Sequence, residues 1–315
     1  MSTYSQGDMR ESLENLFVDW REFEKPPLFN GAPDYRSNTF DLRSEEFNNL
    51  RNRLNLIDKE KLDVKSHVDW TLVWAEMNGY EFNHKILKPW ERDPAFYKSL
   101  WMNRSDVPAH EGPTHHMVIE VWQYDFPLSK QQLKKLTKEL SIIPSFNEQA
   151  KNNLIGNAKD LWIAGIRDIE TQVLNLESLK NFPGVKEHKD LIQIIDESIS
   201  STKSLSKWLK DESKNKTGPS GIGKDNYTWY QKNVHLVPLS WDDEVMLLKR
   251  ELARAWSSLK LEEHKNRNLP ELSAASNQEE YIKKAKDASK DLIEFLDKEE
   301  VINVKDYYKD ALDVR

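Results

Sequence analysis

Apolar residues recur every three or four positions along most of this chain. Met9, Leu13, Leu16, Trp20 and Phe23 step in this way, as do Phe47, Leu50, Leu54 and Ile57. A helix turns once in about 3.6 residues, so each run lays one apolar stripe along a single helix face. His67 to Phe82 predicts a third helix through Val68, Leu72 and Ala75, with Gly79 interrupting the run. Asp93 and Pro94 supply a cap and a first-turn proline for a short helix carrying Phe96, Tyr97 and Leu100, which ends near Asn103.

The pattern continues beyond Ser129, where a Ser-x-x-Gln box opens a helix with Leu133, Leu136 and Leu140. Ser145 then caps a long helix in which Ala150, Leu154, Ala158, Leu161, Gly165, Ile169, Val173 and Leu176 hold a seven-residue rhythm. Pro183-Gly184 ends it, and Leu191, Ile195, Ile199, Leu205 and Leu209 mark the antiparallel return of a helical hairpin. Ser240-x-x-Asp243 and Ser276-x-x-Glu279 open two further helices, through Leu248, Leu252 and Leu259 and through Ile282, Leu292 and Leu296. The alternation needed for strands is confined to Val118–Tyr124, and there it is imperfect. The predicted fold is all-α, with long antiparallel helices, helical hairpins and at most a minor β-hairpin. Residues 1–315 are expected to form one helical region, with sub-boundaries near Pro127 and within Lys210–Asn226, where the composition breaks in KDESKNKTGPSGIGKDN.

Composition narrows the chemistry. The net charge of −7 comes from interleaved acids and bases, which leaves no basic stripe for nucleic acid. With no cysteine, disulfides, thiolate metal sites and a cysteine nucleophile are excluded, and any metal needs His and carboxylates. No segment approaches the 18 or so uncharged apolar residues of a membrane span, and the N-terminus lacks a signal-peptide pattern, so a cytoplasmic protein is expected.

Two motifs invite a chemical reading and fail it. Gly218-Pro-Ser-Gly-Ile-Gly-Lys224 fits most of a phosphate loop, but Asp225 stands where a hydroxyl should hold magnesium. A polar helix end precedes it in place of a strand. The plainer account is a Gly-rich turn, whose N–H groups could still meet a substrate carboxylate. His110-Glu-Gly-Pro-Thr-His115-His116 puts its histidines five and six apart with Gly112-Pro113 between them, whereas a helical zinc motif needs a spacing of four. A loop-borne metal site of His110, His115 or His116 with Glu120 is the weaker alternative to an exposed His-rich loop. Arg250, Glu251, Arg254 and the run from Glu262 to Arg267 read as solvated helix ion pairs. The aromatic stretch Tyr227, Trp229, Tyr230 and His235 offers side chains with apolar bodies and polar tips. These can line a cleft or simply pack a core.

DWTLVWAEMNGYEF, KPWERDPAFY, NAKDLWIAGIRD, GPSGIGKDNYTWYQKNVHLVP and RELARAWSSLKLEEHKNRNLP together resemble the N-terminal half of bacterial proteins of the domain-of-unknown-function family 885. The likeness runs from roughly residue 10 to 300. It implies a fold like the N-terminal half of helical zincin-like peptidases, in a longer protein whose zinc motif lies in its C-terminal half. It therefore assigns this chain no catalytic residue, no metal ligand and no cofactor, with zinc belonging to the full-length protein. It implies a share in a substrate groove for Gly218, Gly221, Gly223, Lys224, Tyr227, Trp229, Tyr230 and His235. The expected partners are the missing C-terminal half and a peptide substrate, with neither nucleic acid nor membrane. The resulting expectation is a groove wall of a metallopeptidase-like protein, inactive without its second half. A non-enzymatic helical scaffold or interaction module is the alternative.

Overall fold

The structure is a computed structural model that describes residues 6–104, 118–270 and 273–313. It is all-α, with two very short strand pairs. The chain divides into compact units between Met246 and Leu247.

The first unit holds two hydrophobic clusters. In one, α1 (Gln6–Glu24), α2 (Ser37–Leu56) and α3 (Val64–Phe82) pack together. The stripes Met9, Leu13, Leu16, Trp20, Phe23 and Phe47, Leu50, Leu54, Ile57 are all buried, as their spacing predicts. On α3 the expected face is corrected in part. Val68 and Leu72 are about half exposed, while Trp70, Val73 and Met77 fill the core and Ala75 is buried elsewhere. Because α3 is apolar on more than one side, the larger indole takes the interior, and its Nε1–H donates to the Leu54 carbonyl at 3.1 Å.

Between α1 and α2, β1 (Leu28–Phe29) and β2 (Ala32–Pro33) form the small antiparallel hairpin. The Val118–Tyr124 segment contributes only β4 (Ile119–Glu120), paired in parallel with β3 (Leu100–Trp101). After α3 the chain widens into a π-helical turn, Asn83–Leu87, then closes with Lys88 in the left-handed region before α4 (Pro89–Arg92). Asp93 caps the 3-10 turn Pro94–Tyr97 through the Ala95 N–H at 2.9 Å.

The second cluster is built on α5 (Lys130–Leu140), α6 (Ile143–Asn153), α7 (Lys159–Leu179) and α8 (Lys189–Ser213). Ser129 and Gln132 form the predicted capping box, and α7 with α8 forms the predicted hairpin. The single long helix expected from Ser145 onward is two helices, with a break between Asn153 and Lys159. At the break the Gly156 N–H donates to the Glu91 carbonyl at 2.7 Å, a contact so close that a side chain at Gly156 would strike that backbone. The helix yields to this packing because its seven-residue rhythm carries no information about a neighbour 65 positions earlier in the chain.

The unit continues through α9 (Lys224–Asn233) into the start of α10 (Trp241–Lys265), where Ser240 and Asp243 cap each other reciprocally. Beyond Met246, α10 runs on and is followed by α11 (Gln278–Lys298) and α12 (Asp306–Asp313). The cap of α11 is Asn277, bonded to the Glu280 N–H, one residue later than the expected Ser276. Among the described residues no helix is long and apolar enough to cross a membrane.

Candidate functional site

The helices of the first unit leave a pocket of about 520 Å³ where α1, α2, α3, the π turn and the end of α9 meet. Ligand pockets commonly enclose about 300–1,000 Å³. One part of its wall is aromatic. Tyr35, Phe40 and Trp90 line it, with Phe40 stacked on Trp90 at 4.1 Å between ring centroids. Another part is charged. Arg21 donates to Glu24 at 2.5 Å and to Glu76 at 2.7 Å, and Trp20 Nε1–H donates to Glu76 at 3.1 Å.

The π turn sets a histidine into this wall. His84 stacks on Tyr80 at 3.9 Å and meets Phe40 edge-on at 5.1 Å. Its Nδ1 lies 2.8 Å from the Tyr80 carbonyl. A carbonyl only accepts, so Nδ1 carries the proton and the neutral ring keeps its lone pair on Nε2. Burial pushes the imidazole down to about 4, which keeps it neutral at physiological pH. Burial also pushes the Tyr80 phenol up to about 12, against the pull of the Arg43 guanidinium. Glu24 is raised by burial, with Arg21 opposing the shift. Asp34, also on the wall, is held below the usual carboxylate range by the fork of Arg36, which bonds both its oxygens at 2.9 and 2.8 Å.

Two of the groove candidates read from the sequence reach this pocket. Tyr230 and His235 line it with rings 5.0 Å apart, and Tyr230 also meets Phe82 at 4.9 Å. Their approach depends on Gly79, where a Cβ would stand only 3.2 Å from Val234 Cγ1. The Asn78 amide fixes the same end of α9 by donating to the Asn233 carbonyl at 2.9 Å. Trp229 stacks on Phe82 at 5.6 Å outside the lining, and the Tyr227 hydroxyl donates to Glu244 at 2.5 Å.

The Gly-Lys loop does other work. The Thr217 and Gly218 N–H groups both donate to Asn157 Oδ1 at 2.7 Å, so neither awaits a substrate carboxylate. Ser220 Oγ accepts from the Asp160 and Leu161 N–H groups at 2.8 and 3.2 Å and so caps α7, whose own Ala158 has no capping oxygen. A Cβ added at Gly221 would meet nothing within 4 Å, and Gly223 takes a φ of 84° that suits the turn into α9. Lys224 is paired with Asp242 at 3.1 Å and lies over the Trp241 ring. None of the candidates Gly218, Gly221, Gly223 and Lys224 lines the pocket.

The candidate metal residues His110, His115 and His116 lie outside the described residues. Glu120 is bonded by the Gln123 amide. Among the described residues no group of three His, Asp or Glu side chains is placed to hold a metal. Arg43, Glu24, Tyr80 and His84 are members of the pocket that periodicity alone did not single out. Arg43 and Glu24 carried no signal in the sequence, while Tyr80 and His84 lie within and just beyond the aromatic-rich stretch DWTLVWAEMNGYEF.

No family model matches the chain, and no curated protein matches it. A solved structure does: a protein of unknown function from Shewanella oneidensis, described as a lipoprotein, with a TM-score of 0.54 and 12% sequence identity. The match covers 97% of this chain but 59% of that one, so this chain spans about three-fifths of the longer protein. At that identity the likeness is one of fold.

Proposed function

We propose that this chain is the N-terminal helical portion of a metallopeptidase-like protein, that its pocket forms one wall of a substrate groove, and that it cleaves nothing by itself. The observation that carries this reading is convergence. Glu76 and Tyr80 from one family-like block, Trp90 from a second, and Tyr230 and His235 from a third, about 140 residues further on, line one cavity. Core packing alone gives three distant blocks no reason to leave a hollow of that size at their meeting point.

Two further facts support the idea of a second half. The fold recurs in a longer chain, and α10 and α11 leave Leu248, Leu252, Trp256, Ile282, Leu292 and Phe295 exposed. The described residues do not fit a zinc ion, so no step through zinc is assigned to them.

The test is the coding sequence that follows Arg315, with a peptidase assay on whatever product it specifies. A His-Glu motif with a later His, and cleavage that a chelator stops, support the reading. A complete product of this length that cleaves peptides overturns it, and one that binds peptides without any cleavage favours the scaffold alternative, which the exposed faces of α10 and α11 also suit. Cytoplasmic placement belongs to the same proposal. The lipoprotein description of the structural neighbour favours the cell envelope instead, and cell fractionation decides between them.

A further inference from the structure

We propose that the pocket bounded by Arg43, Glu24 and the Tyr35–Phe40–Trp90 wall binds a small zwitterion with an aromatic side chain, specifically a short peptide with both ends free. It rests on the groove reading only for the peptide nature of the ligand.

The argument begins with unused charge. Among the described residues, Arg21 is shared by Glu24 and Glu76, and Arg36 is spent on Asp34. Arg43 lines the same pocket and forms no ion pair with a carboxylate among the described residues. Its guanidinium donates to the Phe23 carbonyl and lies over the Phe23 ring at 4.4 Å, and its charge favours the Tyr80 phenolate against burial. A guanidinium has five donors in a planar fork that matches a carboxylate, so most of its capacity is left over.

The anionic side is similarly open. Arg21 occupies Oε2 of Glu24, and no described group donates to Oε1. One guanidinium between two carboxylates leaves a net negative charge, which an ammonium group would neutralise. Burial already disfavours the Glu24 anion, so a cation beside it gains more than it would on an open surface. The lining therefore offers one free positive and one free negative post. This balance suits a ligand bearing both charges better than a simple acid or a simple amine.

The remaining wall selects the body of the ligand. Tyr35, Phe40, Trp90 and Phe96 present apolar ring surface, and neutral His84 adds an acceptor at Nε2 that has no partner among the described residues. An aromatic side chain gains from offset or edge contacts with such rings. The volume of about 520 Å³ is ample for a dipeptide.

The experiment is calorimetric titration of the purified chain with glycyl-phenylalanine, its N-acetyl derivative and its C-terminal amide. The free dipeptide is expected to bind, and blocking either end to weaken binding about tenfold or more, the loss of one charge-assisted contact. Glu24→Gln should remove the penalty for acetylation, and Arg43→Met the penalty for amidation, which loosened packing would not do selectively. Since Arg43→Met also orphans the Phe23 carbonyl and could unfold the chain, the three ligands on the unaltered protein are decisive by themselves. No binding of the free dipeptide, or equal binding of either blocked form, overturns the proposal. This binding needs no zinc and no further segment, so its failure is separable from a failure of the groove reading, which the cleavage assay decides.

Discussion

The His84 imidazole lies nearly parallel to the Tyr80 ring, 3.9 Å between centroids, while its Nδ1–H reaches back to the Tyr80 carbonyl. The π turn makes both contacts compatible. One extra residue in the helical turn carries His84 back over the ring of the residue four positions earlier, where it is sealed by Phe40 and Trp90. A protonated ring in this setting would lose its hydration without gaining an anion.

That burial makes stability depend on pH in a defined direction. His84 is held at about 4 in the folded chain and titrates near 6.5 when unfolded. As pH falls, the unfolded chain takes up the proton first, so stability is lost between about 6.5 and 4, by about 3 kcal/mol in full. Glu24 and Asp93 act in the opposite sense, because burial raises both and the folded chain protonates first. Comparison with His84→Phe isolates the histidine. In urea unfolding, the variant should gain about 3 kcal/mol on the parent between pH 7 and pH 4, and a constant gap would show that His84 is not buried as described.

Gly165 lies where α7 passes the Pro94–Tyr97 turn. A Cβ there would stand 2.7 Å from the Ala95 nitrogen and 2.8 Å from Pro94 Cβ, and backbone has no rotamer by which to retreat. Alanine gains about 1 kcal/mol over glycine in a helix, but contacts this short against backbone put the overpacking cost in the upper part of its usual range, about 2–3 kcal/mol. Gly165→Ala should therefore lower stability by about 1–2 kcal/mol net. Gly221→Ala, with nothing within 4 Å, should stay within about 0.5 kcal/mol of the parent. Equal thermal midpoints for the two variants would refute the close approach.

Much of this fold was legible because local spacing determined it. Trp20 and Phe23 belong to a stripe whose periodicity is its own evidence, and the Ser129–Gln132 box needs no distant partner to form. The errors have a common cause. Val68 and Leu72 were misplaced because α3 is apolar on several sides, so its rotation is chosen by α1 and α2. The break at Gly156 is imposed by Glu91, a residue the heptad rhythm of that region cannot register. The site was legible only at Tyr230 and His235, where aromatics cluster in sequence. Arg43, Glu24 and His84 have ordinary neighbours in the chain, and only tertiary packing brings them to one cavity. The π turn that presents His84 leaves no trace in a pattern of period 3.6.

The Gly-Lys loop should behave as a structural strap. Ser220 caps a helix that begins some 60 residues before it, and Asn157 takes two backbone N–H groups on one oxygen. Ser220→Ala should cost about 1–2 kcal/mol, as loss of an N-cap does. Asn157→Ala removes the acceptor shared by two solvent-accessible N–H groups, which water can then meet, and should cost about 1–2 kcal/mol. Neither variant should alter the heat of mixing with magnesium–ATP, which is expected to be nil in the parent. A measurable nucleotide affinity that Lys224→Met abolishes would restore the phosphate-loop reading.

The face of α10 formed by Leu248, Leu252, Trp256 and Leu259 is a separate matter of apolar exposure, since these residues recur at helical spacing and are 67%, 67%, 58% and 46% exposed. Covering one large apolar side chain is worth about 1.5–3 kcal/mol, so a contiguous stripe of four is a strong drive to find a partner. The purified chain should associate as its concentration rises, and replacing both Leu252 and Trp256 by lysine should hold it monomeric in sedimentation equilibrium. If a longer product of the same gene buries this stripe with its own later segment, that product should be monomeric without the substitutions. A parent chain that stays monomeric throughout would mean that the stripe is covered within the chain itself.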